Sequence, residues 1–392
     1  MSHQLRGKAA CVGMATTGMG EAPSRSAMDL MAGAVLDALE DAGIPLAEVD
    51  GVFAANAVHS MASMSLSEHL GIVPVISDNS NVGGSSFMQH ALLAATALEA
   101  GLINVAVIAY GSNQRSAGGF QGVSEPLPYE AQFKPRNPIT SYALVTSHYL
   151  HRFGVTREQL AEVPVAARAW ANLNPEAFMY DKGPLTVEDV LAARMISDPL
   201  GKLDCCLVTD GGAAIVMTRA DRAKDTRHTP VHLLGAGVAH YHRMISTMPD
   251  LAVTAATTSG ERAYAMAGLT AADMDSVQLY DAFSINTLLF LEDLGFCAKG
   301  EAAEFIKGGH IAPGGGLPVN TNGGGLSCVH PGMYGLYVMI EAIAQIRATL
   351  DGAPAPRDVG GWVPGTKLAL AHGNGGVLSA QATTIWGAPE TV

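Results

Sequence analysis

Two histidines stand where irregular, glycine-rich backbone could bring them against a ligand. His330 lies in Val329-His330-Pro331-Gly332, and His372 ends an apolar strand in His372-Gly373-Asn374-Gly375-Gly376. Imidazole takes or gives a proton near neutral pH, and the carboxyl ends of parallel strands line the crevice of open α/β sheets. Loop carbonyls could equally satisfy His330, and His372 could be the one polar residue of a structural turn. Tyr280-Asp281-Ala282-Phe283 ends another strand. Asp281 suits orienting a histidine or capping the helix that starts near Ser284. Tyr280 suits donating a hydrogen bond to a carbonyl, or packing. Gly83-Gly84-Ser85-Ser86 opens a long helix whose free N–H groups and dipole favour developing negative charge. Cys328 would need a lowered pKa and access to be a nucleophile; otherwise it is a small buried side chain.

The elements that position these residues are written twice. Asn79-Ser80-Asn81-Val82-Gly83-Gly84-Ser85-Ser86 returns loosely as Asn320-Thr321-Asn322-Gly323-Gly324-Gly325-Leu326-Ser327. Each copy precedes a helix-like stretch and then an apolar strand ending in glycine, Ile103–Gly111 and Leu368–Gly373. The echo predicts a duplicated α/β unit with chemistry in the cleft between copies. Strands are expected at Ala9–Ala15, Val49–Ala54, Val73–Asp78, Ile103–Tyr110, Leu203–Thr218, Val277–Tyr280, Leu368–His372 and Ser379–Trp386, with Pro230–Ala239 opening the second unit. Ser24 or Ser26 can cap a helix that Gly43 stops. Phe87–Ala100 reads as a buried, Ala-rich helix. Such alternation implies a mostly parallel sheet covered on both faces.

Between Ser112 and Leu200 prolines and charges rise, among them Pro126, Arg136 and Arg168, while helical periodicity persists over Ser141–Phe153 and Thr156–Asn172. This reads as an insertion over the cleft whose basic side chains, Arg136 and Arg168 above all, could meet phosphates. The formal charge of −13 excludes non-specific nucleic-acid binding. With 48% apolar and 15% charged residues, a large core and an oligomer interface are expected. No Cys-x-x-Cys spacing suggests a structural zinc. Five cysteines and an N-terminus without a signal-peptide apolar core point to a reduced, cytoplasmic protein. Adjacent Cys205-Cys206 reads as a pair of small buried hydrophobes, or else a redox pair. No window reads as a membrane span.

Arg157-Glu158-Gln159-Leu160-Ala161 with Asn174-Pro175, Pro199-Leu200-Gly201-Lys202-Leu203-Asp204-Cys205-Cys206 with Asp210-Gly211-Gly212-Ala213-Ala214, Tyr280-Asp281-Ala282-Phe283, Leu291-Glu292-Asp293-Leu294-Gly295-Phe296 and His330-Pro331-Gly332 are shared markers. On these the chain resembles the thiolase superfamily over essentially its whole length, in the branch of the thiolase part of sterol carrier protein x and related lipid-transfer thiolases. The resemblance implies an α/β thiolase fold, five layers (αβαβα), with halves 1–250, including an inserted loop domain 112–200, and 251–392. It also implies a tight homodimer, a CoA thioester as substrate, no permanently bound cofactor and no metal.

The family's nucleophilic cysteine falls on Gly84, so it is missing. The family Gly-His-Pro histidine falls on His330, with Val329 for the Gly, and the second family cysteine falls on His372. Tyr280 and Asp281 take the place of the Asn-Glu or His-Asp pair. An oxyanion hole would come from the Gly84 and Asn374 amides, with Ser85 and Cys328 beside it. Without the cysteine, ping-pong acyl transfer loses its carrier, but retro-aldol cleavage of a β-hydroxyacyl-CoA remains. Cys-less relatives of this branch perform that reaction on steroid side-chain acyl-CoAs with an OB-fold zinc-ribbon partner, and carry Tyr where His330 stands. The alternatives are acyl transfer using another residue or direct transfer, and a non-catalytic thiolase-like subunit.

Overall fold

The computed structural model describes residues 2–119, 128–352, 357 and 360–392; Pro126 and the rest of the 120–127 part of the insertion lie outside the described residues. Nine strands form one sheet: β1 (Ala9–Gly20), β2 (Gly51–Ala54), β3 (Ile76–Asp78), β4 (Val105–Ser112), β5 (Asp210–Arg219), β6 (Val231–His240), β7 (Ser276–Leu279), β8 (Leu368–Gly375) and β9 (Ala380–Gly387). Their order is β3-β2-β4-β5-β1-β6-β9-β8-β7. From the centre outward, β1-β5-β4-β2 is answered by β6-β9-β8-β7. The echo in the sequence is therefore an echo in topology, and β6 opens the second series.

The sheet is mixed rather than mostly parallel. Only β2–β3, β2–β4 and β7–β8 pair in parallel. β9 returns from β8 through a tight turn, so that pair is antiparallel. β5 arrives from the insertion and runs antiparallel to both β4 and β1.

Helix α1 (Ala27–Ala42) begins at a capping box made by Ser26 and Asp29 and ends at Gly43 in the left-handed region. After α2 (Ala62–Leu70), α3 (Ser86–Glu99) follows the first Asn/Gly phrase. The insertion supplies α4 (Ile139–Phe153) and α5 (Arg157–Ala171), the latter with a Thr156–Gln159 capping box. It adds a short helix at Val187–Ala192 and a two-stranded hairpin that its sequence did not announce. The second half supplies α6 (Ala256–Ala267), α7 (Ser284–Asp293) and α8 (Gly335–Asp351).

Period-2 alternation sorts the sheet's two faces. Val105, Val107 and Ala109 join the core under α1, whereas Ala106, Ile108 and Tyr110 join the larger core that holds α3 and α8. Strands buried on both faces explain the continuous apolar runs. Where α3 starts, backbone lies on backbone. A Cβ on Gly375 would sit 1.6 Å from Val82 O, and one on Gly335 would sit 1.9 Å from Gly84 O. The repeated glycines are thus a consequence of two turns and a helix start meeting without side chains between them. Among the described residues no helix is long and apolar enough to cross a membrane.

Gly375→Ala should therefore destabilise the protein by at least about 2 kcal/mol, the scale of overpacking in a rigid core. Urea unfolding measures this, and an unchanged midpoint would show that the two glycine turns do not touch.

Candidate active site

Tyr280 leaves the carboxyl end of β7 and lays its ring over the start of α3. A Cβ built on Gly84 would lie 2.0 Å from Tyr280 Cε2 and 2.7 Å from Asn374 O. The space that any side chain at position 84 would need is occupied by a phenol. Tyr280 and a residue-84 side chain are mutually exclusive in this backbone.

The Tyr280 hydroxyl lies 3.0 Å from His330 Nε2. It accepts the Tyr334 N–H at 3.1 Å and lies 3.4 Å from Gly332 O. With the hydroxyl oxygen already accepting, its single proton is shared between Gly332 O and His330 Nε2. The two rings meet edge to face, centroids 5.5 Å apart. His330 is fixed from behind: its N–H donates to Thr209 Oγ1 at 3.0 Å, and Gln114 Nε2 donates to its carbonyl at 3.0 Å. The Tyr110 hydroxyl donates to Pro331 O and accepts the Met333 N–H. Burial holds both partners neutral. It lowers the His330 pKa to about 4 and pushes the Tyr280 phenol well above its ordinary range. The pair is a neutral imidazole and a neutral phenol in direct hydrogen-bond contact, an arrangement along which a proton can pass.

The remaining sequence candidates divide. Among the described residues, Asp281 has neither a histidine nor an N–H of α7 as a hydrogen-bond partner. Its carboxylate accepts the Gly325 N–H at 2.6 Å and the Leu326 N–H at 3.3 Å, at the head of the short helical turn Gly324–Ser327 that leads to His330. Burial raises its pKa to about 7. Asp281 is thus a positioning group for the second Asn/Gly phrase. Asn374 is tied across to the insertion: its NH2 donates to the Tyr142 hydroxyl at 2.8 Å, and its Oδ1 accepts from Gln381 at 2.8 Å. Tyr142 in turn packs on Phe283, centroids 4.3 Å apart.

Three expectations are corrected, and one of two open readings is decided. His372 turns away from the site. Gly373, its neighbour, takes the face toward α3, where a Cβ would lie 2.7 Å from Met88 Sδ. The His372 ring packs 4.5 Å from Phe290 of α7, with Thr383 Oγ1 on Nδ1 and Gln381 Oε1 on Nε2, both at 2.9 Å. Burial lowers its pKa to about 3, so it serves as a neutral, fully engaged structural ring. Ser85 is fully buried with its hydroxyl between the carbonyls of Gly373 and Ala380, at 2.9 and 2.7 Å, and has no base beside it among its hydrogen-bond partners. Cys328 is the small buried side chain of its two readings: its thiol is pushed up by desolvation, the opposite of an activated thiolate. Arg168 lies inside the insertion at 6% exposure and donates to Gly183 O at 3.5 Å, so its burial keeps it from meeting a phosphate at the surface.

Arg136 is exposed on the insertion. Cys205 and Cys206 are free and partly covered, and burial raises both thiols. Among the described residues no group of three or more His, Cys, Asp or Glu side chains could hold a metal. Tyr334, Gln114, Thr209 and Tyr142 were not legible as site residues. Only Tyr334 had a signal, its place at the head of the helix after His330.

A Gly-rich helix start, a His-Pro-Gly loop and a duplicated mixed sheet are together the features of a thiolase-type fold. The model of the thiolase C-terminal domain-like family matches residues 237–388. The 17-hydroxy-3-oxo-4-pregnene-20-carboxyl-CoA lyase of Mycobacterium tuberculosis is 35% identical over 88% of this chain and 93% of its own length. A steroid side-chain-cleaving aldolase of Thermomonospora curvata is 32% identical over 89% and 93%. The solved Ltp2-ChsH2(DUF35) aldolase superposes with a TM-score of 0.86 at 31% identity, covering 98% of both chains. The chain belongs to the thiolase superfamily, in its sterol carrier protein x-like branch.

His330→Ala should lower turnover by about 10²–10⁴, the range for a positioned acid or base, whereas His372→Gln should cost less than about tenfold in a folded protein. Steady-state kinetics on both variants decide between them; the reverse ranking would restore His372 to the site. The two also differ in acid. Because His372 has a folded pKa below its unfolded one, the unfolded chain binds the proton that the buried ring refuses. Stability from this group is therefore present above pH 6.5 and lost as the pH falls through the window below it. Between pH 6.5 and 4 the wild type should lose stability relative to His372→Gln in denaturant titrations. A constant difference would mean the ring is not buried neutral.

Proposed function

We propose that the protein cleaves a carbon–carbon bond in a β-hydroxyacyl-CoA by a retro-aldol reaction without an acyl-enzyme. The observation that carries this is the Tyr280 ring in the space of a residue-84 side chain, against His330. The substrate's β-hydroxyl gives its proton to the Tyr280 oxygen as the phenol proton passes to His330 Nε2. The oxygen's electron pair closes to a carbonyl, the Cα–Cβ bond breaks, and its electrons become the enolate of the CoA thioester. Backbone N–H groups at the start of α3, around Gly84, hold the enolate oxygen. Protonation at Cα then releases a shorter acyl-CoA and returns the pair to rest. The relatives named above as a carboxyl-CoA lyase and a steroid side-chain-cleaving aldolase support this class of reaction.

The assembly belongs to the same reading. The two halves are residues 1–250, carrying the 112–200 insertion, and 251–392, with β6 grouped structurally with the second. The pantetheine enters past the insertion, with Arg136 near the CoA phosphates. Two copies pair through β3, an edge strand flanked by Val73 and Val75, which are 93% and 69% exposed; pairing would hide an edge otherwise open to aggregation. An OB-fold zinc-ribbon subunit acting beside the dimer is in keeping with the Ltp2-ChsH2(DUF35) structure. The protein works in the cytoplasm.

Incubation with acyl-CoAs followed by intact mass measurement should find no stoichiometric adduct. A covalent acyl group on Cys328 or Ser85 would overturn the lyase reading in favour of an acyltransferase. Light scattering at micromolar concentration should give twice the chain mass, and a clean monomer would defeat the β3 interface.

A further inference from the structure

A cavity of about 170 Å³ lies between the second part of β1 and α8, bounded also by the Asn174–Glu176 loop and Trp362. It is separate from the Tyr280–His330 pair, since neither of those rings lines it. Tyr334 stands between the two. Its N–H donates to Tyr280 OH at 3.1 Å, and its hydroxyl donates to Asn322 Oδ1, on the cavity side, at 2.9 Å.

The polar groups around the cavity are unbalanced in one direction. Tyr337 O–H, Arg357 Nε–H and Trp362 Nε1–H belong to lining residues, are buried, and have no hydrogen-bond partner among the described residues. Tyr337 is 2% exposed and Arg357 5%. All three are donors. A buried donor without an acceptor is costly, and three around one cavity call for an acceptor that no described residue supplies to them.

Charge narrows that acceptor. Arg357 is already neutralised by Glu341, with Nη1 donating to Oε2 at 2.7 Å and Nη2 to Oε1 at 3.1 Å. Glu176, at the exposed rim, is a second carboxylate facing the same single cation, so the lining already carries more negative than positive charge. A second anion would enter against that charge, whereas a neutral carbonyl would not. Met14, Met19 and Ile340 make the rest of the wall apolar. In size the space is comparable to a dry cavity of about 150 Å³ that accepts benzene, hence one six-membered ring.

We propose that this cavity binds a neutral, ring-sized molecule carrying a carbonyl, with the ring against Met14, Met19 and Ile340 and the oxygen on the Tyr337 and Arg357 donors. The proposal is independent of the reaction assigned above, and its test does not use turnover.

The probe is cyclohexanone, followed by ligand-observed NMR on the full chain. Methylenecyclohexane, of the same shape without an acceptor, and cyclohexanecarboxylate, of opposite charge preference, serve as controls. Cyclohexanone should show saturable binding, and both controls should bind at least about threefold more weakly, as the loss of one hydrogen bond requires. Tyr337→Phe removes only an unpartnered hydroxyl, so it should fold normally and weaken cyclohexanone about 3–10-fold. Ala344→Leu, on the lining, should abolish binding by filling the space. The proposal is overturned if cyclohexanone shows no saturable binding, if either control binds as well, or if the folded Tyr337→Phe protein binds cyclohexanone as tightly as the wild type.

Discussion

One steric exclusion organises the site: the Tyr280 ring and a side chain at position 84 cannot coexist. A cysteine at the start of α3 would displace the phenol from His330; the phenol in place removes the room for a nucleophile. The glycine at 84 is therefore not a lost function left behind in an otherwise ordinary site. It is the condition under which Tyr280 reaches His330 Nε2 at 3.0 Å. The surrounding contacts maintain that reach. The Tyr334 N–H fixes the phenol oxygen from the head of α8, while Thr209 and Gln114 hold the His330 backbone. β7, β5, the loop after β4 and α8 thus converge on two rings.

Burial sets the chemistry of those rings as firmly as contact does. A desolvated imidazole with a pKa near 4 is a weak base, but it is unprotonated at any physiological pH. A desolvated phenol is a poor acid at rest and a good conduit once a proton arrives from the other side. Removing water therefore trades basicity for availability, and the short O–H···N path offsets the difference by orientation. Asp281 stabilises the frame rather than the charge. Its carboxylate closes the turn that precedes His330, and its raised pKa near 7 reflects burial without a cationic partner.

Much of this was legible from residue types and spacing, and the misreadings have physical causes. Glycine and proline punctuate the chain strongly, so the His330 loop, the two Asn/Gly phrases and the duplication could be read directly. Which way a residue faces on a strand buried on both sides could not. β8 carries no apolar–polar alternation, so nothing in Ala371-His372-Gly373 says that the glycine, not the histidine, faces α3. A mostly parallel sheet was inferred from strand–helix alternation, which is silent about the last strand of each half. Arg168 did leave a signal. It shares a helical stripe with Ala161, Pro164 and Ala171, all buried, and helical spacing outranks charge in placing it inside. The mutual exclusion of Tyr280 and a residue-84 side chain joins positions nearly two hundred residues apart, and no local pattern encodes it.

The missing nucleophile also fits the reaction's own electron flow. Acyl transfer between two acceptors must store the acyl group between half-reactions, and a side chain is where it is stored. A retro-aldol stores nothing: the electrons of the broken Cα–Cβ bond pass straight into the thioester enolate, and only protons need handling. What such a reaction asks of a protein is a way to take the β-hydroxyl proton and a set of fixed donors where the enolate oxygen forms. In the reading proposed above, the first is the Tyr280–His330 pair and the second is the start of α3. Both are left when a thiolase-type cleft gives its nucleophile's space to a phenol. On that reading position 84 is the point at which one scaffold divides between two chemistries, and the division is made by volume before it is made by reactivity.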